Sequence, residues 1–225
     1  MRRALLLLFV ISIILAPCCG QGAREESGET TGQGLKRGAV LSPEGFEITF
    51  DVGGEGKTAL VFIHGWSCDR GYWSEQIPRF MKDYKIVAID LPGHGASGSS
   101  RADWSLQGFG EDVKQVVNFL GLEKVVLIGH SMGGPVALEA AGLMPGKVAA
   151  VIGVDTFIDA DWEIDEGEWA KWIGSLEADF VGACDGFVRG MFPEGADASL
   201  MDRVSADMCG ADPAIPVALM KLFPD

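Results

Sequence analysis

The chain has 225 residues, a formal net charge of −14 and 48% hydrophobic residues. That size fits one domain of ordinary dimensions, and the mixture of residue classes is that of a globular protein rather than a disordered one. So acidic a chain is a poor partner for nucleic acid, where affinity rests on Lys and Arg neutralising phosphates.

The first nineteen residues read as a targeting segment. Met1, Arg2 and Arg3 supply a basic start, Ala4 to Ala16 is apolar except for Ser12, and Pro17, Cys18, Cys19 and Gly20 follow. This is the layout of a secretory signal, and about thirteen apolar residues fall short of the roughly twenty that span a bilayer. An uncleaved signal anchor is the alternative. Leu15 to Cys18, "LAPC", resembles a bacterial lipobox, which makes Cys18 or Cys19 the candidate lipidated residue. Residues 20–39, rich in Gly, Glu, Ser and Thr, are expected to form a flexible tether between that anchor and a folded body. The expected location is the cell envelope, as a membrane-anchored lipoprotein or as a secreted or periplasmic protein. The lipid anchor is the sole expected contact with a membrane.

With Cys18 and Cys19 set aside, Cys68, Cys184 and Cys209 remain. An odd number in an oxidising compartment allows at most one internal disulfide. Cys184 with Cys209 is one possibility, three unpaired buried thiols the other.

From Phe46 the pattern becomes regular. "FEITFDV" alternates as a half-buried strand, "GGEG" is a turn, and "ALVFI" (59–63) is a short apolar run typical of a strand buried on both faces. A helical stretch, "YWSEQIPRFMKDY", leads to the strand "KIVAID" at 85–90. The amphipathic "WSLQGFGEDVKQVVNFLGL" leads to "KVVLIGH" at 124–130, and a further buried, parallel strand is expected at 147–154. Strands alternating with helices imply right-handed crossovers, hence a doubly wound, mostly parallel α/β sheet.

At the end of the 124–130 strand stands "GHSMG", Gly129 to Gly133, followed by the helical "GGPVALEAAGLMP". Gly-x-Ser-x-Gly between a buried strand and a helix is the signature of a sharp turn that exposes a nucleophilic serine. "HGW" (His64 to Trp66) and "DLPGHGASG" (Asp90 to Gly98) each follow a strand. In order and spacing these pieces, over about Phe46 to Phe157, resemble the α/β-hydrolase superfamily, in particular its esterase, haloperoxidase and C–C hydrolase branch. The resemblance implies that Ser131 is the nucleophile and that the backbone N–H groups of Trp66 and Met132 form the oxyanion hole. His64, Gly65 and His94 would line the site or brace it. It implies no cofactor, and the sequence contains no ligand-spaced His and Cys cluster for a metal and no phosphate loop.

The family order places an acid and then a histidine after the serine. No histidine follows His130, so none of His64, His94 and His130 fits the role of base; Asp155, at a strand end, is the candidate acid, with helix capping as the alternative. Residues 155–212 hold fifteen Asp and Glu against Lys171, Arg189 and Arg203, with Trp162, Trp169, Trp172, Ile173, Leu176, Phe180 and Phe187 at helical spacing. They are expected to form a helical cap, 156–225, over the core of 40–155. Its aromatic stripe either packs the cap down or lines an apolar acyl or aryl pocket. Two strand–helix units of the family, roughly 50 to 60 residues, would then be missing after the cap. The resulting expectation is an incomplete serine hydrolase acting on a small ester or related acyl substrate. A non-catalytic envelope lipoprotein that uses the same scaffold to bind a small molecule or partner is the alternative.

Overall fold

In the computed structural model, residues 30–156 and 165–222 are described. The expected signal, lipidation site and the first half of the tether, together with Trp162, lie outside them. Six strands, β1 (Lys36–Leu41), β2 (Glu47–Gly53), β3 (Ala59–Ile63), β4 (Lys85–Ile89), β5 (Val125–His130) and β6 (Val148–Val154), form one sheet in the order β1-β2-β4-β3-β5-β6. β4, β3, β5 and β6 run parallel, and β2 is antiparallel to both of its neighbours.

Alternation in the central strands divides the apolar residues between two layers. Val61, Ile63, Val87, Ile89, Val125 and Leu127 face α2 (Leu106–Phe119) and α3 (Gly133–Leu143), whereas Leu60, Phe62, Ile86, Ala88 and Ile128 face Trp73 and Ile77. Trp73 ends a 3-10 turn at Arg70–Trp73, and Ile77 begins the short helix α1 (Ile77–Phe80). Both faces of β3 and β4 are therefore covered, which is why those strands read as continuous apolar runs.

Two expectations need correction. Residues 36–39 are not tether: they belong to β1, paired antiparallel along its whole length with β2, and Leu35 just before it is buried. A Cβ on Gly38 would stand 2.6 Å from the Phe50 ring, so the small residues that hid this strand from the sequence make room for that side chain. The strand at 147–154 exists and is parallel to β5, but it is the sheet edge and not a buried strand; Ile152 and Val154 are exposed.

The cap region after β6 contains α4 (Glu166–Ala178), α5 (Phe180–Gly190), α6 (Ala198–Cys209) and α7 (Ala214–Met220). Asp165, Asp179 and Asp197 each cap a helix start by accepting a backbone N–H, which gives three of the many acidic residues a local structural task. Cys184 of α5 and Cys209 of α6 form a disulfide with Cα atoms 5.6 Å apart, leaving Cys68 as the free, buried thiol among the described residues. No helix among the described residues is long and apolar enough to cross a membrane.

Candidate active site

β5 delivers Ser131 into a left-handed backbone conformation with φ 49°. An L-residue adopts this conformation only when its surroundings compel it. Here the Ser131 N–H donates to Val154 O at 3.1 Å and the Gly134 N–H donates to Ser131 O at 2.9 Å, tying the turn to β6 on one side and to α3 on the other. A Cβ on Gly129 would fall on the Gly133 carbonyl, and one on Gly133 would fall on the Ile63 carbonyl. The two glycines of the motif are thus needed where backbone meets backbone, and Ser131 between them is exposed.

The loop after β3 lies against this turn. A Cβ on Gly65 would be 3.2 Å from Ser131 Cβ and 2.9 Å from His130 Nδ1, so the chain of residues 64–66 passes directly beside the serine. Trp66 is buried, and its indole N–H donates to Pro216 O at 2.9 Å; the Trp169 indole donates to Met220 O at 3.1 Å. These two bonds fasten α7 to the core loop and to α4.

The three histidines have separate environments. His64 is fully buried. Its Nε2 accepts from the Leu91 N–H at 2.9 Å, which fixes the proton on Nδ1, 2.8 Å from Gly65 O. Burial above all, and then the neighbouring His94, hold its pKa well below the ordinary value, so it is a neutral brace between two loops with neither nitrogen free. His94 lies in a different cleft, described below. His130 lines the same cavity as Ser131, with its ring edge-on to Trp73 at 6.5 Å. By strand alternation it continues the Val126–Ile128 side of β5, away from the Leu127 side. Burial lowers its pKa, opposed by the charge of Asp155.

Asp155 follows β6, is exposed, has φ 48° and lines the cavity with Ser131. It is not a helix cap in the described part of the chain. The sequence-derived site is thus brought together at Ser131, Met132, Gly65, Trp66 and Asp155, whereas His64 and His94 stand outside the cavity.

That cavity has a volume of about 310 Å³. The core contributes Trp66, Ser131 and Asp155, and the cap contributes Trp169, Phe187, Met191, Phe192, Val204, Met208 and Met220. The apolar stripe divides between packing and the cavity wall. Ile173, Leu176 and Phe180 are buried in packing, while Trp169 and Phe187 face the cavity. The methionines and Phe192 had no periodic signature, and of the other wall residues Cys68 sits in a loop whose composition signals nothing and Tyr72 in the 3-10 turn. Burial pushes the Cys68 thiol up to about 12, so it is protonated and not a competing nucleophile at neutral pH.

A buried ion network ties together the loops after β3 and β4. Arg70 pairs with Asp51 at 2.8 Å and with Asp90, and Asp90 also accepts the Arg70 N–H at 2.9 Å and the Ala96 N–H at 2.7 Å. This holds the "DLPGHGASG" loop to the loop after β3. Among the described residues no group of three His, Cys, Asp or Glu side chains could hold a metal ion.

The model of the "alpha/beta hydrolase fold" family matches residues 58–194, more than half of the chain, and the chain belongs to that family. Over 102 residues it is 40% identical to the dihydrolipoyllysine-residue acetyltransferase component of the acetoin cleaving system of Pseudomonas putida, covering 45% of this chain and 28% of that protein. Over 92 residues it is 40% identical to the pimeloyl-[acyl-carrier protein] methyl ester esterase of Methylococcus capsulatus, covering 41% and 34%. The matched part spans about a third of the length of these relatives. An esterase from Exiguobacterium antarcticum superposes with a TM-score of 0.74 at 21% identity, covering 83% of this chain and 73% of the other, a likeness of fold.

Proposed function

We propose that the chain is a serine hydrolase of esterase type, acting on a small ester or related acyl substrate through Ser131. The observation that carries this is Ser131 in a left-handed, glycine-walled turn at the mouth of an apolar cavity. Ser131 Oγ attacks the substrate carbonyl carbon and gives its proton to a general base. The N–H groups of Met132 and Trp66 accept the charge of the oxyanion as hydrogen-bond donors, and collapse of the intermediate releases the alcohol and leaves an ester on Ser131. Water then frees the acid. The apolar cap wall suits an alkyl or aryl acyl group. Asp155 is proposed to orient the base.

His64 has no free nitrogen, His94 lies elsewhere, and His130 shares the cavity but makes no hydrogen bond to its chain neighbour Ser131, so the base is proposed to come from outside these three. It is the component that the relatives' greater length would supply. By its sequence, the N-terminal segment supports an envelope location with a lipid on Cys18 or Cys19. The competing reading, a scaffold that only binds, is favoured by the absence, among the described residues, of a hydrogen bond between Ser131 Oγ and a histidine.

Chemical rescue separates the two. With 4-nitrophenyl acetate, a chain in which only the base is lacking should hydrolyse slowly and gain a Ser131-dependent rate when free imidazole enters the exposed site. Ser131→Ala should abolish that gain. An imidazole effect equal in the wild type and in Ser131→Ala would support the binding scaffold instead.

A further inference from the structure

A second cleft, of about 420 Å³, lies where the loops after β3 and β4 meet the C-terminal end of α6. Ser67, Asp69, His94, Asp207 and Asp212 line it, and Cys68 forms a wall common to this cleft and the apolar cavity. Its chemistry is the opposite of its neighbour's: polar and acidic, with no aromatic side chain in the lining.

Two buried side chains in that lining lack partners. Ser67 and His94 are 7% and 6% exposed, and neither Ser67 Oγ nor His94 Nε2 makes a hydrogen bond. His94 Nδ1 is 3.1 Å from Pro92 O, and since a carbonyl only accepts, the proton is on Nδ1 and Nε2 offers a lone pair. Unpaired buried polar atoms are costly, so two in one cleft point to a partner that supplies donors.

The carboxylates specify its charge. Asp69 uses one oxygen on the Gly71 N–H at 2.6 Å and Asp212 one on the Ala214 N–H at 3.0 Å, so each keeps another. Burial pushes the Asp69 pKa up and the charges of Asp90 and Asp207 add to that, opposed by the Gly71 N–H hydrogen bond and by Arg70. The Arg70 guanidinium is already committed to Asp51 and Asp90. The cleft therefore gathers acceptors and negative charge without a cation of its own. The side chains do not converge closely enough for a metal ion, which leaves a cation with several N–H donors.

We propose that this cleft binds a primary alkylammonium group, with Asp207, Asp69 and Asp212 supplying charge, and with Ser67 Oγ and His94 Nε2 accepting its N–H donors. The site is independent of any reaction at Ser131.

The test is calorimetric titration of the full chain with 1,4-diaminobutane and, separately, with uncharged 1,4-butanediol, at fixed ionic strength. The diamine should bind and the diol should not. Asp207→Asn should weaken the diamine about tenfold, as the loss of a charge-assisted bond does. Asp202→Asn removes the same charge from α6 at an exposed position paired with Arg189, and should leave binding unchanged. Ser67→Ala removes one acceptor and disturbs no existing hydrogen bond. It should weaken binding several-fold and tests the site even if Asp207→Asn misfolds. No heat with the diamine, equal binding of the diol, or equal loss in Asp202→Asn and Asp207→Asn would each overturn the proposal.

Discussion

The two halves of the cavity are built by different means. The core half is backbone: a left-handed serine, glycines pressed against carbonyls, and loops tied by Arg70 and Asp90. The cap half is side chain: Met191, Met208, Met220, Phe187 and Phe192 on helices stapled by one disulfide. Backbone positions admit almost no substitution, whereas methionines and rings can be exchanged at modest cost. The core half thus holds the motif serine in place, and the cap half shapes the cavity that Ser131 lines.

The sharpest way to break this contrast is in the core. Arg70→Ala would leave the buried Asp90 without its cation and strip Asp51 of one of its two arginines, at about 3 to 5 kcal/mol, and should shift chemical denaturation to much lower denaturant. Gly129→Ala, which forces a methyl onto the Gly133 carbonyl, should cost about 3 kcal/mol and remove any acylation of Ser131. In the cap, replacing Cys184 and Cys209 together by serine opens a crosslink over 25 residues, worth about 3 kcal/mol, and should release α5 and α6 to proteolysis while β3 to β5 stay protected. Phe187→Ala lies at the cavity wall on a partly exposed residue. It should change stability by less than about 1.5 kcal/mol while shifting the preferred acyl chain towards longer groups.

The smallest effect is a pH dependence carried by the core. The pKa values of His64, His94 and His130 are all lowered, mainly by burial. Below about 6.5 the unfolded chain binds protons that the folded chain does not, so stability present above that pH is lost as pH falls. Asp112 acts in the opposite sense: burial raises it to about 6 despite Arg101, so it favours the fold as pH falls through that range. Thermal unfolding from pH 7 to pH 5 should show net destabilisation, reduced in a His64→Asn variant.

The same contrast explains what the sequence disclosed. The elbow was legible because backbone crowding demands Gly129 and Gly133 in one short run. The parallel strands were legible because burial on both faces writes continuous apolar segments such as "ALVFI". β1 was not, since Gly38 makes room for Phe50 and, with Ala39 beside it, carries no strand pattern of its own. The exposure of β6 was not, because apolar composition records the tendency of a strand and not whether a neighbour covers it. The cap's cavity residues, and the meeting of Ser67 and Asp207 in the lining of one cleft, depend on the approach of distant segments that no local spacing encodes.

Acylation of Ser131 tests the central claim most directly. The full chain is incubated with 4-nitrophenyl acetate and free imidazole, digested, and its peptides are weighed. The account predicts acetyl on the peptide that contains Ser131, released by hydroxylamine and absent from Gly129→Ala. Acetyl confined to lysine or tyrosine side chains, with the Ser131 peptide unmodified, would contradict it.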